Sequence, residues 1–149
     1  MEQNMQSNFW YWIHYPSTEP HDCWWETDID CISRSRQTVE AAWKQKEEEY
    51  EEELSKRDNR IDEFKSAVAI TGDKVWIIFN YDAEDPDWAR IKFIGNTIEE
   101  CMAWWAENWT DYIEYEPEEG ETAPEWDTKF GYRYGDRRYG LRIEEKEIA

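Results

Sequence analysis

"FWYWIHY", residues 9–15, consists almost entirely of aromatic and β-branched side chains, which are the residues that favour strands. A second segment, "VWIIFNY" at residues 75–81, has the same character and also ends in tyrosine. Each segment leads into an acidic loop that contains proline, "PSTEPHD" in one case and "DAEDPD" in the other. We therefore predict two aromatic strands at equivalent places in two similar units.

The residues that follow each aromatic segment also correspond. A second strand-like run comes next, "DIDCIS" at residues 28–33 and "ARIKFI" at residues 89–94. A threonine then opens a helical pattern, at Thr38 in the first unit and at Thr97 in the second. Both units are therefore predicted to have the order strand, strand, helix.

Together these patterns predict a single domain, residues 1–149, with an α+β fold. It would contain an antiparallel sheet made from two β–β–α units at 9–68 and 74–110, a C-terminal β-hairpin at 128–146 and one long acidic helix. The two units would be either an internal duplication or independent segments with a similar pattern.

The two predicted helix starts are not equally well marked. Thr97 is followed three residues later by Glu100, a spacing that fits a capping box. Glu99 and Glu100 also complement the positive end of the helix dipole. Thr38 has only Glu40 in support, so the sequence defines the second start better than the first.

The long acidic helix is predicted over residues 38–65, which contain neither glycine nor proline. At about 1.5 Å per residue it would be about 42 Å long. Its apolar residues form one narrow stripe, either a face packed on the core or the seam of a coiled coil between two copies. The stripe consists of Trp43, Tyr50, Leu54, Ile61, Phe64 and Val68.

The chain after the second helix is predicted to contain three further strands. "DYIEYE" at residues 111–116 alternates polar and apolar residues like a half-exposed strand. The C-terminal hairpin is expected to turn at Gly135 and Asp136. One of its faces would carry Phe130, Tyr132, Tyr134, Tyr139, Leu141 and Ile143. The other would carry Lys129, Arg133, Arg138 and Arg142.

The net charge limits the partners that the chain can have. It carries 36 acidic and 17 basic residues, a formal net charge of −19. Direct, non-specific binding to nucleic acid or to an anionic membrane depends on Lys and Arg, so the charge argues against both. A basic protein surface is the favoured partner, including one that normally holds nucleic acid.

The cysteines and the N-terminus favour a cytoplasmic location. Cys23, Cys31 and Cys101 are an odd number, which suits reduced thiols better than a disulfide framework. The first residues, "MEQNMQSNFWYW", lack the basic and apolar regions of a signal peptide. No apolar run approaches the roughly 18 residues that span a bilayer.

Motifs for metal binding and catalysis are weak. His14, His21, Cys23 and Cys31 are the only group of soft ligands, and they lack the paired short spacings of structural zinc. The acids at 82–87 lack the glycine and the terminal glutamate of a calcium-binding EF-hand. No nucleophile elbow, Walker loop or zincin motif is present. We therefore expect no enzyme activity, no metal and no cofactor.

Clustered carboxylates are the candidate partner-binding residues. Glutamates four apart on a helix rise about 6 Å, and successive phosphates on one DNA strand lie about 6–7 Å apart by a geometric estimate. Two aromatic rings are added as anchors, because aromatic residues often carry binding energy. The candidate set is Glu47, Glu48, Glu49, Tyr50, Glu51, Glu52, Glu53, Trp109, Glu116, Glu118 and Glu119.

The chain shares four general features with one class of proteins, namely small size, acidic charge, aromatic richness and the lack of enzyme motifs. It resembles small phage-encoded anti-defence proteins, the anti-restriction and anti-CRISPR inhibitors, several of which imitate DNA. The unit "VWIIFNYD…ARIKFIGNTIEEC" is also similar to the strand–strand–helix of HicB-like antitoxins, although it lacks their "PGC" turn. The first resemblance implies a protein that acts in the cytoplasm of an infected host cell.

The expected function is non-enzymatic inhibition, in which an acidic surface blocks a basic, nucleic-acid-binding surface of a host defence complex. Two alternatives stay open. A tryptophan-rich module would sequester a signalling nucleotide, with Arg133 and Arg138 of the hairpin as candidate ligands for its phosphate. A structural protein would dimerise through the long helix, with Leu54 and Ile61 at the interface.

Overall fold

The computed structural model describes residues 7–16, 27–55, 57–80, 90–113, 115–126, 134–136 and 139–149. The first half contains β1 (Ser7–Pro16), β2 (Asp28–Ser33), α1 (Arg36–Glu49), α2 (Glu51–Ser55) and β3 (Arg57–Ser66). The second half contains β4 (Lys74–Asn80), β5 (Ile91–Gly95), α3 (Ile98–Asn108), a 3-10 turn (Trp109–Tyr112), β6 (Tyr134–Asp136) and β7 (Leu141–Glu147). The prediction of an α+β fold with antiparallel strands is confirmed.

The strands form two sheets rather than one. Their orders are β2-β1-β3 and β5-β4-β7-β6, and all neighbouring strands are antiparallel. The aromatic strands β1 and β4 each lie between two partners. Each also carries large apolar side chains on both faces, which a sheet exposed on one side would leave in water. The prediction of one sheet is therefore wrong.

The inner faces of the two sheets pack against each other. Alternate residues of β1 and β4 belong to a single buried cluster, namely Phe9, Tyr11, Ile13, Val75, Ile77 and Phe79. The Tyr11 hydroxyl accepts a hydrogen bond of 3.1 Å from the backbone N–H of Ile91 in β5. Burial raises the pKa of Tyr11 to about 12. The Ser66 hydroxyl of β3 likewise donates to the Ile94 carbonyl of β5 at 3.1 Å. The contact between the sheets is thus largely apolar, with two buried hydroxyls that bridge them.

The helices cover the outer faces of the two sheets. Trp12 of β1 packs with Val39 of α1 and Leu54 of α2. Ile78 of β4 packs with Trp105 of α3. The described chain is therefore layered as α1 and α2, first sheet, second sheet and α3. None of its helices has both the length and the apolar character needed to cross a membrane.

The predicted long helix over 38–65 is wrong. Helix α1 ends at Glu49, and Tyr50 leaves helical geometry with φ −137° and ψ 44°. The chain from Arg57 onward is β3, which pairs with β1 along ten residues. Without β3, one edge of the buried strand β1 would lack partners for its backbone hydrogen-bonding groups. This pairing outweighs the helix propensity of the segment.

The predicted apolar stripe is divided by the change from helix to strand. Ile61 packs with the outer cluster around Trp12, whereas Phe64 packs with the inner cluster between the sheets. Leu54 is buried at 8% exposure. The coiled-coil seam, and with it dimerisation through a long helix, therefore has no basis in the described structure.

The helix start at Thr97 is confirmed, and the start at Thr38 is wrong. The Thr97 hydroxyl accepts from the Glu100 backbone N–H at 3.2 Å, and the Glu100 carboxylate accepts from the Asn96 N–H at 2.7 Å. In α1 the N-cap is Ser35, whose hydroxyl accepts from the Thr38 N–H at 3.4 Å. Thr38 therefore lies within the first turn, because a capping residue was available three positions earlier.

The predicted turn of the C-terminal hairpin is wrong. The hairpin is formed by β6 and β7, but Gly135 and Asp136 pair with Arg142 and Leu141 inside the ladder and do not form its turn. Gly140, with φ +66°, has the left-handed backbone that a turn requires. The turn is thus displaced toward the second strand. Residues 127–133, 137 and 138 lie outside the described residues.

The predicted strand at 111–116 is also wrong in its described part. The chain continues from α3 into the 3-10 turn, and 115–126 contain no strand. Trp109 and Tyr112 pack into the core with α3, so this turn extends the helical layer. Glu114 lies outside the described residues. The observed order is β1–β2–α1–α2–β3 and then β4–β5–α3, so the first unit ends in a strand and the two predicted β–β–α units are not confirmed. The internal duplication and the single domain stay predictions.

Substitution of Gly95 by alanine is expected to reduce the free energy of unfolding by about 1–3 kcal/mol. A Cβ at this position would lie 2.8 Å from Cε2 of Phe93 and 3.1 Å from Cβ of Glu100. Urea unfolding measures the effect. Gly72→Ala is the matched control, because its Cβ would meet no atom closer than 3.9 Å. Equal stability of the two variants would contradict the packing described at Gly95.

Candidate interaction surface

Residues 47–53, named the acidic corner here, connect α1 to α2. All seven side chains are exposed, and six of them are glutamates. Tyr50 lies at the centre with 48% of its surface exposed. The structure therefore places the first predicted group of partner-binding residues together on the surface.

Backbone hydrogen bonds and one buried side chain hold the acidic corner in place. The Tyr50 N–H donates to the Lys46 carbonyl at 2.8 Å, and the Leu54 N–H donates to the Tyr50 carbonyl at 3.0 Å. Leu54 packs with Trp12 and Val39 on the outer face of the first sheet. Because Leu54 points into the core, the glutamates before it are directed toward solvent.

The carboxylates of the acidic corner have no counter-ions within the described part of the chain. No ion pair joins any of its six glutamates to a described residue. Lys46 places its Nζ 5.0 Å from the centre of the Tyr50 ring, so it contacts the ring of the corner and pairs with none of its carboxylates. The corner therefore concentrates negative charge that a cationic partner would neutralise.

Part of this charge lies where it destabilises the fold. Glu47, Glu48 and Glu49 occupy the last turn of α1, at the negative end of the helix dipole. The three glutamates in the first turn of α2 lie at the favourable, positive end of that helix, but they add to the negative charge beside them. Lys46 is the one basic residue in the last turn of α1, and its single charge does not balance the three glutamates there. The arrangement therefore favours a role for the charge itself.

The double substitution Glu48→Gln and Glu49→Gln is expected to stabilise the protein by about 1 kcal/mol at low salt, because it removes two charges from the wrong end of a helix. Thermal unfolding at several salt concentrations measures this, and the gain should shrink as salt screens the charges. Glu116→Gln with Glu119→Gln is the control, since it makes the same change in charge away from a helix end. An equal gain in the control would assign the effect to net charge alone.

The second predicted group of acids lies in the loop at 115–126. Glu116, Glu118 and Glu119 are all exposed. The loop is closed by a turn in which the Glu118 N–H donates to the Glu121 carboxylate, and the Glu121 N–H donates to the Glu118 carbonyl, both at 3.0 Å. Gly120 supplies the positive φ of +85° that this turn uses.

The two acidic groups belong to different outer layers. The loop is fixed to α3 by Trp126, which is 7% exposed, and by the Trp105 indole N–H, which donates to the Pro124 carbonyl at 2.9 Å. The acidic corner instead packs on the first sheet through Leu54. The structure therefore does not join the two predicted groups into one continuous surface.

Trp109 is not a surface anchor, contrary to the prediction. It is 4% exposed and packs in the cluster that contains Trp105 and Cys101. These three residues are four positions apart in the sequence, a spacing that places them on one face of a helix. That spacing was the signal in the sequence that Trp109 belongs to the core.

A cluster of polar side chains that the sequence did not indicate lies beside the helical layer of the first sheet. Arg57 Nε donates to His14 Nδ1 at 2.7 Å, and His14 Nε2 lies 2.9 Å from an oxygen of Asp30. Burial alone would raise the pKa of Asp30, but the hydrogen bond and charge of His14 hold that pKa below its usual value. Arg57 and Asp30 thus lie against the two ring nitrogens of His14.

The described cysteines are poorly suited to nucleophilic chemistry. Burial raises the pKa of the Cys101 thiol to about 12, and burial together with Asp30 raises the pKa of the Cys31 thiol. Both thiols are therefore protonated at neutral pH, whereas a nucleophile requires the thiolate. Cys23 lies outside the described residues.

The remaining candidate sites are only partly described. Within the described ranges no group of three or more His, Cys, Asp or Glu residues is arranged to hold a metal ion. His21, Cys23 and the acids at 82–87 lie outside those ranges, as do the predicted ligand residues Arg133 and Arg138.

Arg142 occupies a different environment from the one predicted. It is 9% exposed, its Nη1 donates to the Thr27 carbonyl at 2.9 Å, and its guanidinium lies 5.6 Å from the centre of the Phe79 ring. The expected polar face of the hairpin is therefore buried at this position. The reason is that Arg142 lies opposite Phe79 in the ladder of β4 and β7, so its side chain is on the face that packs against the first sheet.

The acidic corner is the candidate site that these observations support best. Its charges are exposed, are held by the fold and lack ion pairs with described residues. No protein-family model, curated protein or solved structure matches the chain. The proposal for function therefore rests on the geometry and charge of these side chains.

Proposed function

We propose that the chain is a non-enzymatic inhibitor whose acidic corner binds and blocks a basic, nucleic-acid-binding surface of a host defence complex. The observation that carries this proposal is the group of six exposed glutamates in residues 47–53 that have no ion pair with a described residue. Their charge is available to a partner without first breaking contacts within the described part of the chain. Tyr50 supplies an exposed ring at the centre of the same surface.

The shape of the acidic corner differs from the one expected of a DNA mimic built on a single long helix. The break at Tyr50 divides the glutamates into two groups of three, residues 47–49 on α1 and 51–53 on α2. A straight row of carboxylates along one helix is therefore replaced by a corner. A cationic groove or concave patch is the matching shape for such a protruding surface.

The net charge of −19 supports rapid association with a cationic partner. Charges of opposite sign steer two proteins toward each other, and salt weakens this steering. The resemblance to phage-encoded anti-restriction and anti-CRISPR inhibitors supports the same function. In that setting the protein acts in the cytoplasm of the infected cell.

The test is capture from a host lysate, followed by competition. The immobilised chain should retain a basic protein at low salt and release it at high salt. Double-stranded DNA should displace the retained protein, because both compete for one surface. A captured protein that stays bound in excess DNA and in high salt would contradict the proposal.

A further inference from the structure

A pocket of about 500 Å³ opens between α1 and β3 on the outer face of the first sheet. Its volume lies in the range of about 300–1,000 Å³ that is usual for small-ligand sites. Its lining includes the apolar side chains of Trp43 and Ile61, the basic residues Arg36, Lys44 and Arg60, and the acid Glu40.

The floor of the pocket is a preformed aromatic surface. Trp43 stacks on Trp12, with 5.9 Å between ring centres and 8° between ring planes. The Trp12 indole N–H donates to the Asn59 side chain at 2.8 Å, which fixes the lower ring of this stack. Ile61 adds an aliphatic surface beside Trp43. A planar ring that enters the pocket would extend the existing stack.

The rim of the pocket carries more positive charge than the chain as a whole. Arg36, Lys44 and Arg60 are lining residues, against the acids Glu40 and Glu47. This balance reverses that of the whole sequence, which has 36 acids and 17 bases. With Arg36 paired to Glu40 and Arg60 paired to Asp62, Lys44 and Glu47 are left, so the rim is close to neutral whereas the chain as a whole is strongly acidic.

Lys44 is the cation of the rim that is best placed to bind a ligand. Arg36 pairs with Glu40 at 3.3 Å and lies 4.8 Å from the centre of the Trp10 ring. Arg60 pairs with Asp62. Lys44 is exposed and has no ion pair with a described residue. Its ammonium group is thus available to a single anionic group.

We propose that this pocket binds a small planar aromatic molecule with one anionic group, of the nucleoside monophosphate class, with the ring against Trp43 and the phosphate at Lys44. This activity is separate from the proposed inhibition, because the pocket shares only Glu47 with the acidic corner. A single phosphate suits the site better than a polyphosphate, since the net charge of −19 opposes each added negative charge.

Isothermal titration calorimetry with AMP tests the proposal, with adenosine and ribose 5-phosphate as its two halves. Lys44→Gln is expected to weaken AMP binding about tenfold, as loss of one charge-assisted contact should, and to leave adenosine binding unchanged. Lys46→Gln removes the same charge outside the pocket, and its effect should stay below about twofold. Trp43→Phe should weaken both AMP and adenosine, with circular dichroism as the check that the variant is folded.

Three results would overturn the proposal. The first is that AMP at millimolar concentration gives no heat of binding. The second is that AMP binds equally to the native chain and to Lys44→Gln. The third is that Lys44→Gln and Lys46→Gln lose the same amount of AMP affinity. Partner capture from lysate is a separate readout. If the native chain captures its partner but does not bind AMP, the pocket alone is refuted. If it binds AMP but captures no partner, the proposed inhibition alone is refuted.

Discussion

Substitution of Trp105 by alanine is expected to lower the free energy of unfolding by about 3–5 kcal/mol. Trp105 is 3% exposed and lies at the centre of the cluster between α3 and the second sheet. Its ring packs edge-to-face on Trp126, with 5.1 Å between centres, and lies 5.2 Å from Tyr139. Its N–H also donates to the Pro124 carbonyl. Truncation thus removes an aromatic contact network and leaves the partly buried Pro124 carbonyl without this donor.

A loss of this size is a large part of the roughly 5–15 kcal/mol by which natural domains are stable. Chemical unfolding measures it, with Trp105→Phe as the matched variant. Phenylalanine retains most of the ring contact and loses the hydrogen bond, so its cost should fall between those of the native chain and the alanine variant. A cost for Trp105→Ala near that of an exposed substitution, under about 0.5 kcal/mol, would contradict this account of the second core.

Conversion of all six glutamates of the acidic corner to glutamine is expected to weaken partner binding about a hundredfold at low salt. Exposed ion pairs contribute about 0.2–1 kcal/mol each, so six contacts at about 0.5 kcal/mol sum to about 3 kcal/mol. That sum corresponds to a factor of about 100 in the dissociation constant. The fold should be retained, since all six side chains are exposed and none pairs with a described residue.

The control for this variant removes the same charge from other parts of the surface. Affinity that falls equally in the control would show that net charge, and not the acidic corner, determines binding. Six exposed acids outside both acidic groups are suitable for conversion to amides: Glu63, Glu107, Asp111, Glu125, Glu145 and Glu147.

Substitution of the second acidic group tests whether the partner contacts the acidic corner alone. Glu116, Glu118 and Glu119 lie on the α3 layer, away from the first sheet. Substituting all three by glutamine should leave partner affinity nearly unchanged, because a partner at the acidic corner does not contact them. A loss as large as that of the corner variant would mean that the partner spans both layers.

Strands β1 and β4 could be predicted from the sequence because their signals are local. Consecutive aromatic and β-branched residues favour extended backbone, and the loops that follow contain proline. The Thr97 cap was predictable for the same reason, since its partner Glu100 is three residues away. Signals that lie within a few residues of one another are visible without the fold.

Strand β3 could not be predicted because its cause is distant in the sequence. Its residues "RDNRIDEFKS" carry no proline or glycine and continue the charged pattern of the helix before it. What makes them a strand is the open edge of β1, which lies 41 to 59 positions away in the observed pairing. A backbone that would otherwise be left without partners decides the structure there.

The same difference between local and distant signals explains which candidate sites could be predicted from the sequence. The acidic corner was predictable because exposed glutamates are recognised by composition alone. The pocket at Trp43 was not, because it needs Arg60 and Ile61 on a strand that was assigned to a helix. The contact between His14, Asp30 and Arg57 likewise joins three strands. Sites assembled from several elements become visible only when the elements are in place.

The most direct test of the acidic corner as a working surface is the salt dependence of affinity for the captured partner. Dissociation constants would be measured by calorimetry over a range of salt concentrations for the native chain, the six-glutamine variant and the charge-matched control. The account predicts a steep loss of affinity with salt for the native chain and the control, and a nearly flat response for the six-glutamine variant. Parallel salt responses for all three proteins would contradict it.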